Sequence, residues 1–185
     1  MRVITGTARG TNLKTPEGMH TRPTADRVKE ALFNVIQYEI RGEVLDLFAG
    51  TGQLGIEALS RGAAHAAFVD QRADAVGLVR ENLRRTHLSD RAEIYCGDYL
   101  TYLDRCTKRF DLIFLDPPYA EKSLENAILR ISEIDILADG GIIITERPRG
   151  KPLELELPGL TRSKDYNYGK TTITLFRRES LEDIA

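Results

Sequence analysis

From residue 43 onward the spacing of apolar positions changes again and again. EVLDLF, AAFVD, AEIYC, FDLIFLD and GGIIITE are short runs rich in Val, Ile, Leu and Phe without clean polar alternation, the pattern of strands covered on both faces. Between them QLGIEALSR, ADAVGLVRENLRR, DYLTYLDRC and SLENAILRISEIDIL return apolar residues every three or four positions, as helices with one buried face do. Strand and helix in alternation predict a doubly wound α/β domain around a mostly parallel sheet. LELEL and TTITLF then follow with no long helix between them, which predicts an antiparallel pair of strands at one edge.

The first 42 residues follow other rules. MRVITGTARGTNLKTPEG alternates weakly and is broken by Gly6, Gly10 and Gly18; it predicts one or two short strands in a hairpin with too little apolar surface to fold alone. In RPTADRVKEALFNVIQYEIRG the apolar positions Ala25, Val28, Leu32, Val35 and Ile36 predict a helix, with Thr24 as its cap and Gly42 as its stop. The expected organisation is a hairpin extension over residues 1–23 and one main domain over 24–185.

Composition narrows the class. No apolar stretch approaches the roughly 18 residues a membrane helix needs, and Met1 does not open a charged-then-apolar leader, so a cytoplasmic protein without a membrane partner is expected. Cys96 and Cys106 lack the spacing of a metal or redox pair and are expected to remain thiols. The net charge of −2 argues against a protein that is cationic all over, but the charge is uneven: residues 1–41 hold seven Lys and Arg against four acids, leaving −5 on the other 144 residues. A cationic hairpin and helix beside an acidic body allow local contact with a polyanion; a solvated face with chance clustering is the plainer alternative.

In doubly wound folds ligands bind beyond the carboxyl ends of the strands, so these ends are the places to look. VLDLFAGTGQLG is a strand running through Asp46 into Gly50, Gly52 and Gly55 at the start of a helix. Such a loop lets a ligand approach the backbone and the helix's unpaired N–H groups. By itself it also suits a dinucleotide, but Asp46 beside it favours a cationic or hydroxyl-bearing ligand over a pyrophosphate. The next strand ends at Asp70, placed either to accept from two ribose hydroxyls or to cap the following helix. The third leads to Asp98, placed to accept from an adenine amine or, again, to cap a helix. Together they outline an adenosine-bearing cofactor.

The fourth strand runs into Asp116-Pro117-Pro118-Tyr119. An exocyclic amine on a nucleobase is a poor nucleophile because its lone pair is spread into the ring, so a catalyst must accept its hydrogens and hold the nitrogen in line with an electrophile. Asp116 and the Pro117 carbonyl can accept; Pro118 fixes its own φ and restricts Pro117 to extended backbone; Tyr119 can lie flat against the base.

VLDLFAGTG followed by DPPY resembles the S-adenosylmethionine-dependent amino methyltransferases that act on nucleic-acid bases. RVITGTARGTNLKTPEG, RPTADRVKEALFNVI and DLFAGTGQLGIEALSRGA narrow the likeness to the RsmD-like family of bacterial 16S ribosomal RNA guanine-N2 methyltransferases. The resemblance spans nearly the whole chain. It implies a seven-stranded Rossmann-like sheet with a reversed edge strand and S-adenosyl-L-methionine as donor. It also implies transfer to the N2 of a guanine in 16S ribosomal RNA, in an assembled or nearly assembled small subunit. A monomer that needs no metal is expected. Carried over, the donor loop falls on Asp46, Phe48, Ala49, Gly50, Thr51 and Gly52. Asp70 with Gln71 and Asp98 with Tyr99 flank the adenosine, Thr24 belongs to a segment closing over the site, and Asp116 to Tyr119 hold the target base. Arg2, Arg9, Lys14 and Arg22 are the expected RNA contacts. Thr11 and Asn12 depart from the family, which commonly carries another basic residue there.

Two alternatives stay open on the residues alone. The same DPPY chemistry serves adenine N6 or another amine in DNA or RNA, and a nucleotide- or RNA-binding protein without catalysis would share the glycine loop. The second leaves DPPY unexplained; the first usually comes with a larger target-recognition region than 23 residues provide. A nicotinamide-dependent dehydrogenase fits less well, since no catalytic Tyr/Lys or His/Asp arrangement stands out.

Overall fold

The computed structural model describes residues 1–18, 23–118 and 122–178, the side chains of residues 23–25 excepted. After the amino-terminal segment the chain runs α1 (Pro23–Val35), β1 (Glu43–Asp46), α2 (Gln53–Ser60), β2 (His65–Asp70), α3 (Ala73–Thr86), β3 (Ala92–Cys96), α4 (Tyr99–Arg105), β4 (Phe110–Leu115), α5 (Ser123–Ile134), β5 (Leu137–Pro148), β6 (Leu160–Arg162), β7 (Tyr166–Tyr168) and β8 (Thr171–Arg178). The strands form one sheet in the order β3-β2-β1-β4-β5-β8-β6, with β7 also paired to β8. Contacts from β3 through β5 are parallel, and β8 runs antiparallel to β5. The doubly wound architecture with a reversed strand is therefore present. The reversed β8 lies one place in from the edge, and the edge itself is shared by β6 and β7, two short pieces that pair in succession along it.

Strand side chains alternate between two cores, as a two-fold pleat requires. Val44, Phe68, Phe114 and Ile144 pack with α1, α2, α3 and the amino-terminal segment. Leu45, Val69, Ile113 and Ile143 pack with α4 and α5. No helix among the described residues is long and apolar enough to cross a membrane.

Several element limits differ from expectation for local reasons. The first helix starts at Pro23, so Thr24 falls within its first turn instead of capping it; proline suits that first position because its missing N–H would have no helical partner. The same helix stops at Val35, well before Gly42, and the chain tightens into a turn closed by Glu39 N–H to the Ile36 carbonyl at 3.0 Å. The fifth helix ends at Ile134 because Asp135 takes a left-handed conformation (φ 54°), held by ion pairs to Arg109 and Arg178. LELEL forms no strand. Leu153 and Leu157 are buried in the second core, so its alternation records side-chain burial, while Pro152 and Pro158 at its two ends offer no N–H to a ladder.

The amino-terminal segment is a minimal hairpin. Arg2 and Asn12 form an isolated antiparallel bridge, flanked by Val3 N–H to Thr11 carbonyl at 3.0 Å and Leu13 N–H to Met1 carbonyl at 3.0 Å. It leans on the main domain through Val3, Ala8 and Leu13, all buried in the first core, and through a polar clamp. Fully buried Glu57 on α2 accepts from the N–H groups of Ile4 (2.8 Å) and Thr5 (3.0 Å). Lys29 of α1 pairs with the same carboxylate at 3.7 Å and donates to the Arg2 carbonyl at 2.6 Å.

Candidate active site

The chain winds from β1 through β2 to β3 on one side of the sheet and from β4 to β5 on the other, so the connections that leave the carboxyl ends of the paired neighbours β1 and β4 run in opposite directions. Such a reversal opens a crevice. A cleft of about 470 Å³ occupies it, lined by Asp46, Phe48, Ala49, Gly50, Thr51, Asp70, Gln71, Asp98, Tyr99, Asp116, Pro117 and Pro118. Sequence analysis singled out every one of these, and the fold brings them to one place.

The glycine loop owes its shape to two left-handed residues with different tasks. Gly50 (φ +56°) has open space where a Cβ would stand, and its N–H donates to Asp70 Oδ2 at 2.9 Å. Gly52 (φ +79°) lies outside the cleft lining; a Cβ there would meet Ile56, Phe68 and Val79 at 3.3–3.4 Å. It therefore faces the core, and its task is the turn that starts α2, whose Ile56 N–H donates to its carbonyl at 2.9 Å.

Asp46, only 2% exposed, accepts from the Gly55 N–H at 3.0 Å, so it also fastens the start of α2. Burial, only partly offset by that N–H and reinforced by the nearby Asp70 charge, raises its pKa to about 7. Asp70 is spent on the backbone of both neighbouring turns, accepting from Gly50 N–H through Oδ2 and from Arg72 N–H at 2.9 Å through Oδ1. Asp98 caps α4 by accepting from Thr101 N–H at 3.0 Å. Capping and cleft lining thus coexist in Asp98, whereas Asp70 lines the cleft without capping α3, whose cap position is Arg72. Phe48 and Tyr99 pack against each other with ring centroids 5.0 Å apart and planes tilted by 49°, and supply an aromatic wall. Arg72, which also lines the cleft, is paired with Asp74.

This lining fits an adenosine bearing a sulfonium. Carboxylates converge with an aromatic wall, and the one arginine that lines the cleft among the described residues is already neutralised by an acid. One further feature was missed in the sequence. Gln53, the first residue of α2, lines the cleft, and its buried Oε1 has no hydrogen-bond partner among the described residues. A buried amide oxygen left without a donor is costly, and a ligand amine would satisfy it. Only its place directly after the glycine loop marked it out.

Across the cleft, Asp116 follows the last residue of β4 and is pushed well above the usual carboxylate range, first by burial, then by the charges of Glu146 and Asp46. Pro117 is buried and Pro118 exposed. Both also line a second hollow of about 320 Å³, which Glu146, Arg147 and Lys151 help to enclose. Tyr119 and Arg22 lie outside the described residues, and the Thr24 side chain likewise. The side chains of Arg2, Arg9 and Lys14 are exposed on the hairpin. That hairpin is joined to the cleft by Asn82 of α3. Its Oδ1 accepts from Lys14 N–H at 2.6 Å, and its Nδ2 donates to the carbonyls of Lys14 (3.0 Å) and Thr51 (2.9 Å).

Known proteins resemble this chain in sequence and fold. The family model described as Conserved hypothetical protein 95 matches residues 1–177. YlbH of Bacillus subtilis (strain 168) is 41% identical over 182 residues, covering 96% of this chain and 99% of that protein. Ribosomal RNA small subunit methyltransferase D of Haemophilus influenzae is 37% identical over 157 residues, 83% of this chain and 81% of its own. Among solved structures, yhhF of Escherichia coli superposes with a TM-score of 0.86 at 31% identity, over 97% of this chain and 98% of that one.

Proposed function

The chain belongs to the family described as Conserved hypothetical protein 95, and on that footing we propose that it transfers a methyl group from S-adenosyl-L-methionine to the exocyclic N2 of a guanine in 16S ribosomal RNA. The observation that carries this reading is that Asp116, Pro117 and Pro118 open onto the same cleft as the glycine loop, Asp70 and Asp98. An amine-accepting turn and an adenosine-binding lining face one another across a single space. The name of the Haemophilus influenzae relative supports small-subunit ribosomal RNA as the acceptor, and the exposed basic side chains of the hairpin suit its phosphates.

When bound, S-adenosyl-L-methionine supplies an electrophilic methyl carbon and leaves as a neutral thioether. Asp70 serves its ribose hydroxyls, Asp98 its adenine, the Phe48 and Tyr99 rings its flat face, and Gln53 Oε1 its amine. Asp116 and the Pro117 carbonyl accept the two hydrogens of the guanine amine, turning its nitrogen toward the donor side of the cleft. Burial makes Asp116 unusually basic, which suits it to take the proton the nitrogen loses on methylation. The protein works in the cytoplasm as a monomer, and its substrate is a folded RNA surface within an assembled or nearly assembled small subunit, because so short a hairpin offers little for reading sequence directly.

The test uses labelled donor with methyl-deficient small subunits, naked 16S RNA and duplex DNA in parallel, each digested to nucleosides for mass spectrometry. N2-methylguanine, formed best on subunits, is the expected product. N6-methyladenine, or preferential labelling of DNA, overturns the reading.

A further inference from the structure

Asp116 and the prolines explain how an amine is held but not why guanine is chosen over adenine or cytosine, which present the same group. The neighbouring strand end carries the answer. In the register of β4 and β5, Leu115 is opposite Thr145, so Asp116 and Glu146 are the next residues of the two chains, close enough for the charge of Glu146 to act on Asp116. By the alternation of the strands they share the face of Phe114 and Ile144. Glu146 also borders the 320 Å³ hollow that shares Pro117 and Pro118 with the donor cleft.

We propose that Glu146 is the specificity-determining residue of the reaction: it accepts the guanine N1–H while Asp116 accepts from the adjacent N2 amine. The inference rests on the guanine-N2 reading above and adds to it the residue that selects the base. On its Watson–Crick edge guanine offers N–H donors at N1 and N2 side by side. Adenine and cytosine set a bare ring nitrogen next to the amine. A carboxylate accepts only, so Glu146 welcomes the first pattern and opposes its lone pairs to the second.

The condition of the pair supports this. Glu146 has its proton affinity raised by burial, only partly offset by the Thr171 hydroxyl, and its charge is one of those that raise Asp116. Among the described residues, no basic side chain is a cause of either shift. Two desolvated carboxylates side by side make a costly arrangement, and a row of N–H donors relieves it. Arg147, the next residue, is engaged elsewhere, with Asp165 at 2.7 Å and the Lys151 carbonyl at 2.9 Å.

The test compares small subunits reconstituted with 16S RNA bearing guanine or 2-aminopurine at the target position mapped for the wild-type enzyme. 2-Aminopurine keeps the N2 amine but has a bare N1. Wild-type enzyme is expected to favour guanine by about 100-fold or more in kcat/KM, as sites built around a hydrogen bond reject analogues that lack it. Glu146→Gln, whose amide can donate to bare N1, is expected to cut that preference at least tenfold (about 1.4 kcal/mol) while keeping S-adenosylhomocysteine affinity within about twofold in calorimetry. Glu146→Asp keeps an acceptor-only group and is expected to retain the preference at a lower rate. Equal transfer to both bases by wild type, or an unchanged preference in Glu146→Gln, overturns the inference while N2-methylguanine formation still upholds the function. Absence of N2-methylguanine from wild-type reactions defeats the function and the inference together. The wild-type comparison needs no variant, so it decides the matter even if Glu146→Gln does not fold.

Discussion

Asp46 shows how one side chain serves the fold and the site against its own ionisation. It fastens the start of α2 through the Gly55 N–H yet is buried deeply enough that its pKa rises from 3.8 to about 7. Between roughly pH 4 and pH 7 the folded protein then holds a proton that the unfolded chain has lost, so stability is greatest below that window and falls as pH rises through it. Asp116 and Glu146, raised as well, add in the same direction. Asp46→Asn keeps an acceptor for Gly55 and removes the charge, so its stability is expected to fall less over this window, by up to about 4 kcal/mol, as read from urea unfolding across the window; a decline as steep as wild type's would contradict the assignment. The two left-handed glycines separate in the same way. Gly50→Ala adds a methyl where the lining is open and is expected to weaken S-adenosylhomocysteine binding. Gly52→Ala presses on Ile56, Phe68 and Val79 and is expected to lower stability with less effect on affinity; calorimetry and unfolding curves would show the opposite order if the placement were wrong. A GxG spacing announces a turn but not which glycine faces the ligand, and nothing about Gln53 as an isolated letter announces an orphaned amide oxygen.

Among the elements, those with long runs of one period were readable before the structure, and those made by pairing were not. Phe110–Leu115 and Ala73–Thr86 have enough apolar repeats to declare themselves. The three-residue strands β6 and β7 exist only because β8 offers them a ladder, and LELEL misleads because burial on one side imitates a strand's alternation. Asn82 is a connection of the same hidden kind. Fully buried on α3, it ties the end of the hairpin to the glycine loop through Lys14 and Thr51. Asn82→Ala leaves one N–H and two carbonyls without their partner, an expected cost of about 1–3 kcal/mol. It is also expected to weaken donor binding by loosening the loop. Unchanged affinity in the folded variant would show that the loop holds its shape alone.

For the molecule as a whole, charge and topology divide the work. Residues 1–41, which include the hairpin and first helix, carry a net +3, ahead of a body that carries −5. Arg9 and Lys14 are exposed on that hairpin. Replacing both with Gln is expected to weaken RNA binding and to lower the slope of log affinity against log salt by about 1.4 to 1.8, leaving donor affinity alone; an unchanged slope would move the RNA contact elsewhere. In the function proposed above, the ends of β1, β2 and β3 carry the donor lining and the end of β4 carries the amine-accepting turn. The most direct test of that division is the single-turnover rate of methyl transfer to small subunits by Asp116→Ala, with S-adenosylhomocysteine affinity measured on the same sample. The expected result is a rate lowered about 100-fold or more with donor affinity unchanged. Wild-type turnover in the folded variant would contradict the account at its centre, and lost donor affinity would place Asp116 on the wrong side of the cleft.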